Sequence, residues 1–164
     1  MKKSFYFLAT FFVLSFSVKA QAPAQCTDVM LQAFYWNSFS DSKWTNLTLQ
    51  ANELAESFDL IWLPPSGNAG PSSTMGYLPI YYFDQNSSFG TQTELKTLIS
   101  TLKNAGARCV ADVVINHRNG VTNWTDFPSE TYNGVTYAWG SWAICCTDEC
   151  VSHGYEATGG PDEG

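Results

Sequence analysis

The chain switches repeatedly between two hydrophobic periods, one suited to strands and one to helices. Asp28 to Trp36, D-V-M-L-Q-A-F-Y-W, predicts a first strand ending in polar-tipped aromatics. Trp44, Leu47, Ala51, Leu54, Ala55 and Phe58 then recur at helical spacing, with Ser40, Asp41 or Ser42 as candidate cap. Asp59 to Leu63 predicts a second short buried strand, stopped by Pro64 and Pro65. A loop of Gly, Ser, Pro and Asn covers 66–79 and carries Gly76 and Tyr77 near its end. Long loops inside compact domains are usually functional. Thr91 and Glu94 have capping-box spacing, and Leu95, Leu98, Ile99, Leu102 and Ala105 form the stripe of a second helix. Gly106 is placed for a left-handed C-cap.

The stretch from Gly106 to Arg118 organises the rest. Val110, Val113, Val114 and Ile115 predict a strand covered on both faces, as in a parallel sheet. Asp112 lies inside this run, where a bare carboxylate is costly unless paired. The run ends in Asn116, His117 and Arg118. Strand ends that deliver polar groups are where α/β folds build sites. The order is therefore β-α-β-loop-α-β, with each crossover long enough for parallel neighbours. Tyr35–Trp36, Gly76–Tyr77 and Asn116–His117 are then expected to converge on one face. Residues 119–164 show no helical period and read as an irregular, β-leaning excursion, the start of a second small domain.

Charge and composition narrow the chemistry. Lys2 and Lys3 precede an apolar run from Phe5 to Phe16, and Val18-Lys19-Ala20 offers a cleavage site, so 1–20 reads as a signal peptide. The run is short for a membrane span, which needs about 20 residues. Removing 1–20 leaves 5 bases against 15 acids, a net charge of −10. Such a surface argues against nucleic acid and anionic membranes as natural partners. A secreted or periplasmic protein acting on a neutral substrate, or binding cations, fits it. Export permits disulfides. Cys109 sits in a strand and is expected as a buried thiol, whereas Cys150 is expected to pair with Cys145 or Cys146. Zinc on these thiols plus His153 matches no common ligand spacing. Cys26 follows Gln25, too large for a good lipidation signal.

Asp112 to His117, D-V-V-I-N-H, resembles the first motif of the α-amylase family, glycoside hydrolase family 13. V-M-L-Q-A-F-Y-W, W-L-P-P at Trp62 to Pro65, Gly76–Tyr77, S-S-F-G at Ser87 to Gly90 and E-L-K at Glu94 to Lys96 follow the family's order. The wording is nearest to plant-type and related bacterial members, over roughly residues 28–120 and more loosely at Trp142 to Cys145.

The resemblance implies an α/β fold: the β1–α1–β2–α2–β3 part of a (β/α)8 barrel, residues 21–119. It implies that 120–164 begin an irregular, calcium-associated inserted domain. It assigns Asn116 as a calcium ligand and His117 as a hydrogen-bonding partner of the sugar beside the scissile bond. Tyr77 would stack on that sugar, and Asp112 would support the site without attacking. Asp148 is a looser candidate for a further calcium ligand. The implied activity is hydrolysis, with retention, of internal α-1,4 bonds in starch-like glucans. Retaining enzymes use two carboxylates about 5–5.5 Å apart. In the family these acids sit on later strands, and no R-x-D nucleophile segment occurs in the 164 residues. No catalytic residue is therefore assigned, and the chain is expected to be an N-terminal piece, inactive alone. Two alternatives stay open: a secreted, non-enzymatic carbohydrate-binding protein, and another family 13 enzyme such as a transglycosylase.

Overall fold

The computed structural model describes residues 25–71 and 73–161, so the leader expected over 1–20 lies outside the described residues. The main unit runs β1 (Met30–Gln32), α1 (Trp44–Ser57), β2 (Leu60–Leu63), α2 (Gln92–Ala105) and β3 (Arg108–Ala111). The three strands form one sheet in the order β1-β2-β3, and both pairings are parallel. Parallel neighbours need long crossovers, and each helix supplies one.

Ile61 and Leu63 of β2 meet Trp44, Leu47 and Ala51 of α1 and Leu95, Leu98 and Leu102 of α2 in one core. Trp44 is fully buried, with its ring 5.2 Å from that of Phe89. The expected stripe of α1 holds at its N-terminal end, while Leu54 and Ala55 are half-buried. On α2, Ile99 departs from expectation and is exposed, whereas Leu95, Leu98 and Leu102 face the core.

The helix ends show two ways of satisfying free amides. In α2, Thr91 accepts from the Glu94 amide and the Glu94 carboxylate accepts from the Thr91 amide. Gly106 closes this helix at φ 101°, a conformation that a side chain would strain. In α1 none of Ser40, Asp41 and Ser42 caps. The N-cap is Lys43, without a side-chain bond, and the Trp44 amide donates to the Phe89 carbonyl at 2.9 Å. Ser42 is held by Ser38, and Asp41 accepts from the Tyr35 hydroxyl.

Two strands differ from their predicted extents. The first was expected over 28–36 but covers Met30–Gln32. The chain turns after it, with Asn37 at φ 68° and the Tyr35 amide donating to Ser38 Oγ at 3.0 Å. β3 ends at Ala111, paired with Leu63. Beyond that point β2 continues as Pro64 and Pro65, which have no N–H to extend a ladder. The expected cover on both faces is absent: Val113 is 66% and Ile115 82% exposed. The outer edge of β3 is hydrogen-bonded to no other strand among the described residues.

Residues after Arg118 are more ordered than expected. β4 (Glu130–Tyr132) and β5 (Val135–Tyr137) make an antiparallel hairpin. Its turn is Asn133–Gly134, both at positive φ, the geometry that matches hairpin twist. Two 3-10 turns follow, Ser141–Ala143 and Glu149–His153.

The expected disulfide is not formed. All five cysteines are free thiols. Cys150 is buried within the second 3-10 turn, whereas Cys145 and Cys146 are exposed, so the three do not share one environment. Burial, and then the neighbouring Asp148, push the Cys150 thiol above its ordinary range. Cys109 is half-buried rather than enclosed. Among the described residues no helix is long and apolar enough to cross a membrane.

Candidate functional site

The C-terminal ends of the three parallel strands lead into the segments expected to converge, and they do meet. Trp36 stacks on Tyr77, with centroids 6.3 Å apart and rings 16° from parallel. The Tyr77 hydroxyl donates to Asp112 Oδ2 at 2.9 Å. His117 Nε2 lies 2.7 Å from the Tyr77 carbonyl oxygen. A carbonyl can only accept, so Nε2 must carry the hydrogen. Tyr77, Asp112 and His117 thus form one connected group. Asp112 finds the partner that its place in an apolar run demanded. Trp36 is 72% exposed and His117 is also exposed, whereas Tyr77 and Asp112 are half-buried. Trp36 lies beside Tyr77 in an offset stack, and Tyr77 also packs against the hydrophobic core.

Burial, reinforced by the hydrogen bond to Asp112, pushes the Tyr77 phenol up to about 12 from 10.0. An unfolded chain loses this proton near 10, the folded chain near 12, so the unfolded state binds fewer protons between them. The contribution of Tyr77 to stability is complete below pH 10 and is lost as pH rises through about 12. Thermal melting as a function of pH is therefore expected to fall less steeply above pH 10 in Tyr77→Phe than in the parent chain. Parallel curves would show that Tyr77 is not held this way.

A strap ties the loop after Tyr77 to the end of β3. The Asn119 amide donates to the Pro79 carbonyl at 2.8 Å, Arg118 Nε to the Ile80 carbonyl at 2.8 Å, and the Tyr82 hydroxyl to the His117 carbonyl at 3.0 Å. Arg118 Nη2 also reaches the Pro128 carbonyl at 2.9 Å and Glu130 at 3.0 Å. Glu130 in turn accepts from the amides of Tyr82 and Phe83 at 2.9 and 2.8 Å. Both side chains are almost wholly enclosed, at 5% and 6% exposure. The guanidinium carbon lies 4.0 Å from the Trp139 ring centroid, a cation–π contact. Burial lowers the Arg118 pKa, and the Glu130 charge opposes that shift. The sequence alone shows Arg118 only as a polar strand end and does not single out Glu130. The signal available was the Asn-Gly turn, which fixes β4 and so the place of Glu130.

Asn116 is exposed and lines, with Asp148, Tyr82, Trp139 and Trp142, a cleft of about 600 Å³. Its carboxamide oxygen and the Asp148 carboxylate are the hard donors that calcium prefers. Asp148 Oδ1 already accepts from the Cys150 amide at 2.8 Å. Among the described residues no three of His, Cys, Asp and Glu group as a metal site. The donors fit calcium in kind, but two side chains are fewer than the six to eight oxygens it takes. The thiols and His153 considered for zinc form no such group among the described residues either. His153 instead stacks on Trp124, with centroids 4.6 Å apart.

Comparison with known proteins shows the family. Residues 54–150 match the family model described as alpha amylase, catalytic domain. Probable alpha-amylase 2 of Arabidopsis thaliana is 36% identical over 125 residues, covering 73% of this chain and 29% of that protein. Glucan 1,4-alpha-maltotetraohydrolase of Stutzerimonas stutzeri is 29% identical over 132 residues, covering 74% of this chain and 23% of its own length. Alpha-amylase I of Eisenia fetida, a solved structure, superposes with a TM-score of 0.47 at 23% identity, over 63% of this chain and 20% of that one. The chain thus spans less than a third of the length of the relatives it matches. On the family match over 54–150, the chain belongs to the α-amylase family of glycoside hydrolases, family 13.

Proposed function

We propose that these 164 residues supply the sugar-holding strands of a retaining hydrolase of internal α-1,4-glucosidic bonds in starch-like glucans. The observation that carries this is the meeting of Trp36, Tyr77 and His117 at the trailing ends of parallel strands. Relatives named for α-1,4-glucan hydrolysis support the substrate class.

Each residue has a role. Tyr77 stacks on a glucose ring beside Trp36. His117 turns its remaining ring nitrogen and its exposed edge toward a sugar hydroxyl. Asp112 fixes the Tyr77 hydroxyl and takes no part in bond breaking. Asn116 gives an oxygen to a calcium ion, with Asp148 as companion and further oxygens from elsewhere. Such an ion would tie the end of β3 to the segment that carries Asp148. Residues 21–119 would belong to a (β/α)8 barrel and 120–164 to a domain inserted after its third strand. Residues 1–20 would direct export to the periplasm or beyond, and starch or a related α-glucan would be the partner.

No R-x-D segment occurs in the sequence, so the chain holds sugar without cutting it. The test is retention on insoluble starch together with a turnover assay. Saturable retention, competed by maltohexaose, is expected, with no turnover above a mock preparation. Passage straight through the starch would overturn the binding assignment. Turnover would overturn the assignment of the reacting acids elsewhere.

A further inference from the structure

We propose that Arg118 and Glu130 are positioning residues for the sugar site, acting through the backbone on both sides of the Tyr77–His117 contact. The inference rests on the reading of Tyr77 and His117 given above. Neither residue meets the sugar. Arg118 is the immediate neighbour of His117, and its Nε holds the Ile80 carbonyl three residues after Tyr77. Its Nη2 holds Pro128 and Glu130, which lie beyond the end of β3. Glu130 reaches back to the amides of Tyr82 and Phe83. The segment after Tyr77 is thereby gripped from two directions, and the Tyr82 hydroxyl passes that grip to the His117 carbonyl.

Geometry favours this role over plain packing. His117 is exposed, so little apolar contact fixes its ring. It is anchored by the Tyr77 and Tyr82 bonds, and both depend on where 77–83 lies. An Arg fork can serve several fixed acceptors at once, whereas a Lys ammonium is a point charge on a flexible stem. Lys at 118 would keep the charge facing Glu130 and lose the simultaneous hold on Ile80 and Pro128.

The chain's two histidines make the test clean. Histidine-labelled protein is examined by NMR for an Overhauser contact between the His117 ring and Tyr77. The His153 ring against Trp124 serves as internal control. In R118K and E130Q the His117–Tyr77 contact is expected to be lost while His153–Trp124 persists. Y82F, which removes only the hydroxyl, is expected to loosen the same contact. Retention of His117–Tyr77 in R118K and E130Q overturns the inference. Loss of both contacts together also overturns it, since the pair then only holds the fold. No sugar is present, so a failure of starch binding leaves this readout intact.

Discussion

Arg118→Met is expected to cost about 3–5 kcal/mol of folding stability, the range for removing one partner of a buried ion pair. The size follows from enclosure. Glu130 would keep its charge at 6% exposure with only the Tyr82 and Phe83 amides to stabilise it. The pair Arg108–Asp28 is the internal comparison, because its side chains are 62% and 34% exposed. Solvent screens such a pair, and Asp28→Ala should cost roughly 0–1 kcal/mol. Glu130→Ala should exceed Glu130→Gln, because Gln keeps an acceptor oxygen for one of the two amides. Urea unfolding midpoints at constant slope give the comparison. Equal losses in Arg118→Met and Asp28→Ala would show that enclosure is not what makes the inner pair matter.

Tyr77→Ala is expected to weaken maltohexaose binding about 30-fold. Covering an aromatic face is worth on the order of 2 kcal/mol, and about 1.4 kcal/mol is tenfold in affinity. His117→Ala removes one hydrogen bond of about 0.5–1.5 kcal/mol, so roughly a tenfold loss is its upper range. The order of the two effects matters more than their size. A platform of stacked rings predicts the larger loss at Tyr77; a site built on hydrogen bonding predicts it at His117. Isothermal titration of the two variants separates these outcomes. Asp112→Asn belongs beside them, since it keeps an acceptor for the Tyr77 hydroxyl and should bind nearly as the parent does.

Much of this was legible where local chemistry decides. The Thr91–Glu94 box and Gly106 set both ends of α2, and both are local features. The convergence of Trp36, Tyr77 and His117 followed from parallel topology alone, because βαβ units place successive strand ends on one side. The failures arose where long-range partners decide. Nothing near Ser40 to Ser42 tells that Phe89 will accept the Trp44 amide. The apolar run at Val113 and Ile115 reads as buried, yet β3 ends at Ala111 on the edge of the sheet and those two side chains are exposed. Glu130 looked like one acid among many in an irregular segment, until the Asn133–Gly134 turn placed it against Arg118. The cysteine spacing suggested a bridge, but one sulfur is enclosed and the other two face water.

Under the proposed function, the trailing ends of the three parallel strands form one glucan-binding surface. Adding maltohexaose stepwise to nitrogen-labelled chain and mapping the perturbed resonances tests it directly. Saturable shifts centred on Trp36, Tyr77 and His117, with α1 and the β4–β5 hairpin silent, are the predicted result. Shifts centred on the hairpin or the helices, or none at millimolar sugar, would contradict it.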